Sequence, residues 1–95
     1  MNDKISAEKL EKYFSITKEA FDMAAAAGSR LEMPTVRLDF LDMIERYISD
    51  AEHFESKGEV VLAFAALNYA HGWLDAGARI GLFDVRDSRL FTVDD

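Results

Sequence analysis

The chain has 95 residues, of which 49% are hydrophobic and 12% aromatic, and its formal net charge is −7. This length predicts one small domain over 1–95, and the composition is too apolar for a disordered chain. The acidic charge argues against a surface that neutralises nucleic-acid phosphates, and the absence of cysteine excludes disulfides and thiolate metal sites.

The charge-free run from Val60 to Leu74 is the longest apolar stretch of the chain. It is shorter than the roughly 20 apolar residues that span a membrane, and it includes Asn68, His71 and Gly72. The first residues, MNDKISAEKLEKYF, lack the hydrophobic segment of a signal peptide. Together with the absence of cysteine, these features predict a cytoplasmic protein without membrane association.

The apolar periodicity predicts three helices, over about 6–27, 35–57 and 59–80. Ser6 is a suitable N-cap for the first helix, and Pro34 is well placed to start the second. Gly28, Gly58 and Gly81 follow the three periodic segments, where a left-handed glycine commonly ends a helix. The sequence therefore predicts three helices of similar length joined by short links.

The third predicted helix has two apolar flanks separated by small residues. One flank comprises Leu62, Tyr69, Trp73 and Ile80, and the other comprises Val60, Leu67, Leu74 and Ala78. The small residues between them are Ala63, Ala66, Ala70 and Gly77. Two flanks indicate two neighbouring helices, so we expect an all-α, antiparallel three-helix bundle in which Trp73, Leu67 and Leu74 belong to the core.

The last segment, 82–95, breaks the helical period but carries large apolar residues. We expect an ordered, extended tail in which Phe91 and Val93 dock on the bundle. The first predicted helix also has an apolar strip on its far side, which includes Ile16 and Met23. Either the tail covers this strip, or the strip and tail form an association patch in a homodimer. The residues of that predicted patch are Ile16, Met23, Leu90, Phe91 and Val93.

The stretch MIERYISDAEHFESKGEVVLAFAALNYAHGWLDAGARIGLF, with the closing LFTV, resembles the small archaeal family known as domain of unknown function 357. The resemblance is most specific at GEVVLAFAALNYAHGWLDAG. It implies an all-α three-helix bundle from an archaeal cytoplasm, in a family without an assigned activity. The amphipathic helix, glycine link and alanine-rich helix are more loosely similar to the core hairpin of the HEPN superfamily, which includes ribonucleases and nucleotide-binding modules.

Arg46 and His53 are the candidate catalytic residues, because their spacing resembles that of the Arg and His pair in HEPN ribonucleases. In that interpretation Arg46 would stabilise charge on phosphorus and His53 would act as a general acid or base. On a helix the two residues lie two turns apart on one face. The alternative is a solvated face, because Arg46 lies four residues from both Asp42 and Asp50, the spacing of surface ion pairs.

A second group of polar residues lies on one side of the third predicted helix: Asn68, His71, Asp75 and Arg79. One interpretation is a site for a ligand or a partner protein, and another is a structural network in which Asp75 pairs with Arg79. Two potential ligands, His71 and Asp75, are too few for a metal site, so we predict neither a metal nor a cofactor.

The sequence contains no glycine-rich phosphate loop, HExxH motif or nucleophile elbow. We therefore favour a protein-interaction or scaffold module with an unidentified protein partner over an enzyme. A metal-independent, HEPN-like ribonuclease or nucleotide-binding module is the alternative, and binding of a small ligand near Asn68, His71 and Asp75 stays open.

Overall fold

The computed structural model describes residues 5–92, and this part of the chain contains three α-helices and no strand. Helix α1 spans Ala7–Ala26, α2 spans Pro34–Ser56 and α3 spans Val60–Ile80. Consecutive helices are joined by short links and all three pack against one another, as expected of an antiparallel bundle. The predicted all-α three-helix bundle is confirmed. No helix in this range is long and apolar enough to cross a membrane.

Local capping signals account for three of the helix ends. The Ser6 side chain accepts a hydrogen bond of 3.0 Å from the backbone N–H of Lys9, which satisfies one donor at the start of α1. Gly58 (φ 75°) and Gly81 (φ 93°) adopt the left-handed conformation that ends α2 and α3. Gly28 does not, so its predicted role as a left-handed cap is wrong: the C-cap residue of α1 is Ala27, whose backbone is extended (φ −78°, ψ 155°).

The end of α1 is capped by a side chain from α2. The Arg37 guanidinium donates hydrogen bonds to the carbonyl oxygens of Ala24, Ala25 and Ala27 at 3.2, 3.1 and 2.9 Å. A cation in this position is favoured by the helix dipole as well as by the unpaired carbonyl groups. Arg37 also lies over the ring of Phe83, 5.9 Å from its centroid, so it connects α1, α2 and the tail.

The buried side chains of residues 5–92 form two clusters. The smaller cluster lies between the first half of α1, the end of α2 and the start of α3: Leu10, Phe14, Ala51, Ala63, Ala66 and Leu67. The larger cluster joins the other halves of the helices to the tail: Ala20, Ala24, Ile44, Ile48, Ala70, Leu74, Ala78, Leu82, Phe83, Val85, Leu90 and Phe91. Leu67 and Leu74 belong to the core as predicted, whereas Trp73 is only partly buried.

The tail docks on the bundle of its own chain. Leu90 and Phe91 are buried in the larger cluster, against which Ile16 and Met23 of α1 also pack, and a turn closed by the Leu90 N–H and the Asp87 carbonyl (3.0 Å) positions them. The tail therefore shares a core with this strip of α1. Val93, whose docking the sequence also predicts, lies outside the described residues.

Candidate functional site

The solvent side of α3 is an apolar surface that no other part of the described chain covers. We call it the α3 face, and it consists of Leu62, Ala65, Tyr69, Gly72, Ala76 and Ile80. These positions recur at helical spacing. All six residues are exposed, and the exposed fraction is 47% for Leu62, 63% for Tyr69 and 51% for Ile80. Exposed apolar residues are common singly, but a continuous row along one helix typically marks a binding surface.

The exposure of this face corrects one of the sequence predictions. The apolar pattern predicts that the flank of Leu62, Tyr69, Trp73 and Ile80 faces a neighbouring helix, and only Trp73 is partly buried there, against Phe40 of α2, whereas the other three residues are exposed. The flank of Leu67, Leu74 and Ala78 is buried as predicted, and so is the seam of small residues. Within residues 5–92, α2 covers only the edge of the first flank, at Trp73 and Tyr69, and nothing covers the side of α3 opposite the seam.

Aromatic side chains border the α3 face where it meets α2. The ring of Trp73 packs edge-on against Phe40, with centroids 4.8 Å apart and an interplanar angle of 82°. Tyr69 stacks on Tyr47 with centroids 5.4 Å apart. Beside them lies an open depression of about 630 Å³, the apolar hollow, lined by Phe40, Ala65, Asn68, Tyr69, Gly72, Trp73 and Ala76. Its lining contains no charged residue, so it suits an apolar side chain.

A second depression, the polar hollow of about 440 Å³, lies on the other side of α3. Its lining comprises Lys12, Tyr13, Ile16, Asn68, His71, Gly72, Asp75 and Arg89. Asn68 and Gly72 line both hollows, so the two hollows adjoin on α3, and four residues of the α3 face line the apolar one: Ala65, Tyr69, Gly72 and Ala76.

The structure brings together two of the four residues in the polar group predicted on α3. His71 Nε2 lies 2.6 Å from the carbonyl oxygen of Leu90; because a carbonyl only accepts, Nε2 carries the proton and donates. Asp75 Oδ1 accepts the backbone N–H of Thr92 at 2.9 Å and lies 3.9 Å from His71 Nε2. His71 and Asp75 thus hold the tail.

Asn68 and Arg79 have different surroundings. Asn68 is exposed between the two hollows, and Arg79 is exposed one turn beyond Asp75. The predicted ion pair between Asp75 and Arg79 is not among the ion pairs of residues 5–92, because Asp75 points to the tail instead. His71 and Asp75 therefore take part in a structural network, but their partner is the tail backbone and not Arg79.

The tail is also held by a charged contact on α1. The Arg89 guanidinium donates to both carboxylate oxygens of Glu19 and to Asp87. The hydrogen bond with Glu19, followed by that with Asp87, raises the pKa of Arg89. In this arrangement four residues of the predicted association patch pack within one chain: Ile16, Met23, Leu90 and Phe91. The association of two chains through this patch stays a prediction, as does the part of Val93 in it.

Arg46 and His53 lie on the outer surface of α2. Arg46 Nε is paired with Asp42 Oδ2 at 2.9 Å, and its side chain is 72% exposed. His53 is exposed, and its ring lies 5.9 Å from the ring centroid of Phe54. Of the two surface ion pairs expected for Arg46, the one with Asp42 is present. Within residues 5–92 no group of three or more His, Asp or Glu side chains could hold a metal ion.

The geometry of the described residues defines a small helical bundle with one uncovered apolar helix face. A family model described as a protein of unknown function, DUF357, matches residues 12–83. The chain belongs to this family. No curated protein matches the chain, and no solved structure matches it either.

Sequence reasoning missed the α3 face as a surface, although one signal was present. Gly72 lies inside the third helix, where alanine would have a higher helix propensity. Sequence reasoning also missed Arg37, because the helical pattern does not distinguish this residue from other surface cations. Its importance depends on where the end of α1 lies in space.

Proposed function

We propose that this chain is a protein-interaction domain and that the α3 face with the apolar hollow is the surface that binds a protein partner. The observation that carries the proposal is the continuous row of exposed apolar residues along the full length of α3. Keeping such a surface in water is unfavourable, by about 25 cal/mol for each Å² of apolar area that a partner would otherwise bury.

The chemistry of the surface supports a protein partner. Tyr69 lies on it and Trp73 borders it, and Tyr and Trp are enriched in protein interfaces because each offers a large, rigid contact area. The apolar hollow between Phe40 and Tyr69 could accept one large side chain, which would be the anchor of the complex. The small side chains of Ala65 and Ala76, and the absence of a side chain at Gly72, would allow a helix to lie close to the backbone of α3.

The ribonuclease alternative lacks comparable support. The cation of Arg46 is paired with Asp42 rather than free for a phosphate, and the net charge of −7 would repel RNA. We expect the purified protein to leave single-stranded RNA intact, and His53→Ala to change neither this result nor the melting temperature. RNA cleavage that depends on His53 in a gel assay would establish the enzyme instead.

Photo-crosslinking in the cells that produce the protein tests the interaction surface and does not require the partner to be identified first. A benzophenone amino acid would replace Tyr69 at the centre of the α3 face, or Ser15 on the exposed side of α1 as the matched control. We expect a discrete crosslinked species from position 69 and none from position 15. Equal crosslinking at both positions, or none at position 69, would show that the α3 face is not an interface.

A further inference from the structure

We propose that the partner at the α3 face is a second copy of this chain, bound by antiparallel packing of α3 on α3 about a two-fold axis that passes between Tyr69 and Gly72. The inference rests on the interaction surface proposed above and names what occupies it. It differs from the dimer expected from the sequence, because the tail and the Ile16 strip take no part in it.

The first argument is that one chain has no structural need for a glycine at position 72. Glycine inside a helix costs about 1 kcal/mol relative to alanine. At Gly77 the reason is internal: a Cβ there would overlap the Phe83 ring. At Gly72 an added Cβ would meet nothing within 4 Å. A glycine in such a place is explained if a group from outside the chain approaches the helix backbone closely.

The second argument is that the centre of the face fits itself, because the large Tyr69 is followed three positions later by a residue without a side chain. With the axis midway between Tyr69 and Gly72, an antiparallel copy brings Tyr69 of one chain level with Gly72 of the partner subunit. The same operation brings Ala65 level with Ala76, and Leu62 level with Arg79, next to Ile80. A two-fold interface requires this self-complementary order, which a different partner protein would not.

The third argument is electrostatic. Each chain carries a net charge of −7, so two copies repel unless they meet on an uncharged surface. The α3 face is such a surface over most of its length, because no charged residue occurs from Val60 to Leu74 and Asp75 points to the tail. The exposed Arg79 adds one positive charge at the end of the helix. A basic partner, by contrast, would be expected to bind where the carboxylates are, on the outer side of α2.

The size of the face sets the expected affinity. At 1.5 Å per residue α3 is roughly 30 Å long, and with the bordering aromatic rings of α2 the surface is about 20 Å wide. The resulting contact of about 600 Å² per chain is somewhat below the ~800 Å² per partner of a standard interface. We therefore expect a reversible dimer that dissociates on dilution.

Sedimentation of the purified protein over a range of concentrations tests this dimer. We expect the mass to rise from 10.7 kDa toward twice that value. Gly72→Glu should weaken association at least tenfold, because it places two like charges close to the two-fold axis, and Ser15→Glu should not, although it changes the net charge equally. Circular dichroism of both variants would check that the bundle is intact. Equal association of both variants would overturn the proposed interface.

Cysteine crosslinking tests the antiparallel register, and the natural chain contains no cysteine to interfere. Ala65→Cys and Ala76→Cys proteins should form a disulfide-linked dimer when mixed, since these positions lie opposite each other. Ala65→Cys alone should not, because its two copies would be about 16 Å apart along the helix axis.

The two proposals fail in different ways. A protein that remains a monomer at millimolar concentration, or a mixed pair of cysteine variants that does not crosslink, would refute the second copy. If position 69 still crosslinks to another protein in cells, the interaction domain would stand with a different partner. If position 69 crosslinks to nothing, both proposals are wrong.

Discussion

The alanine substitution of Gly77, compared with that of Gly72, tests how the tail is packed on α3. The two glycines lie five residues apart in one helix, and Ala raises helix propensity by about 1 kcal/mol at either position. The local environments differ. A Cβ at Gly77 would overlap one atom of the Phe83 ring and lie 2.7 Å from a second, whereas at Gly72 it would meet nothing within 4 Å.

The expected effects have opposite signs. The Phe83 ring is fully buried, so it cannot move away from Gly77 without shifting its neighbours or losing burial. Overpacking of a core typically costs about 1–3 kcal/mol, and such close approaches belong at the upper end or beyond it. After subtracting the helix-propensity gain, we expect Gly77→Ala to destabilise the fold by about 1–3 kcal/mol. Gly72→Ala should stabilise a single chain by about 1 kcal/mol.

Thermal unfolding followed by circular dichroism measures both effects, in dilute solution so that association does not contribute. Each kcal/mol should change the melting temperature by about 4–8 °C for a domain of this size. Combining Gly77→Ala with Phe83→Leu provides the control, since a smaller side chain at position 83 should reduce the cost of the added methyl group. If Gly77→Ala is as stabilising as Gly72→Ala, the tail does not pack on α3 as described.

Three further outcomes concern contacts that the helical pattern does not reveal. Deletion of residues 90–95 should destabilise the bundle by about 3–6 kcal/mol in urea unfolding, because it removes the buried side chains of Leu90 and Phe91; unchanged stability would mean that the tail is free. Thr17→Val should stabilise by about 1–2 kcal/mol, since Thr17 is fully buried and its Oγ1 has no hydrogen-bond partner within residues 5–92; a loss of stability would reveal a missed partner. Arg37→Met should lower stability by about 1–2 kcal/mol through the unpaired carbonyl groups at the end of α1, and Arg37→Lys should restore only part of it.

The helices and one side of the core could be predicted from the amino-acid sequence. Helix periodicity, the Ser6 cap and the left-handed glycines Gly58 and Gly81 are local features, and each depends on residues within a few positions of it. The burial of Leu67 and Leu74 beside small residues also followed from the pattern, because a helix without charged residues over most of its length needs an apolar neighbour along at least one side.

The open side of α3, by contrast, depends on the way the bundle is assembled. The pattern marked two apolar flanks but could not show how much of each flank the neighbouring helices cover, since that depends on how segments distant in sequence meet in space. The same reason applies to His71 and Asp75, whose partners are tail backbone atoms 17 to 19 residues away. It applies equally to Arg37, which acts on carbonyl groups of another helix. The candidate surface is therefore a property of the assembled bundle, whereas the residues that form it were already visible in the chain.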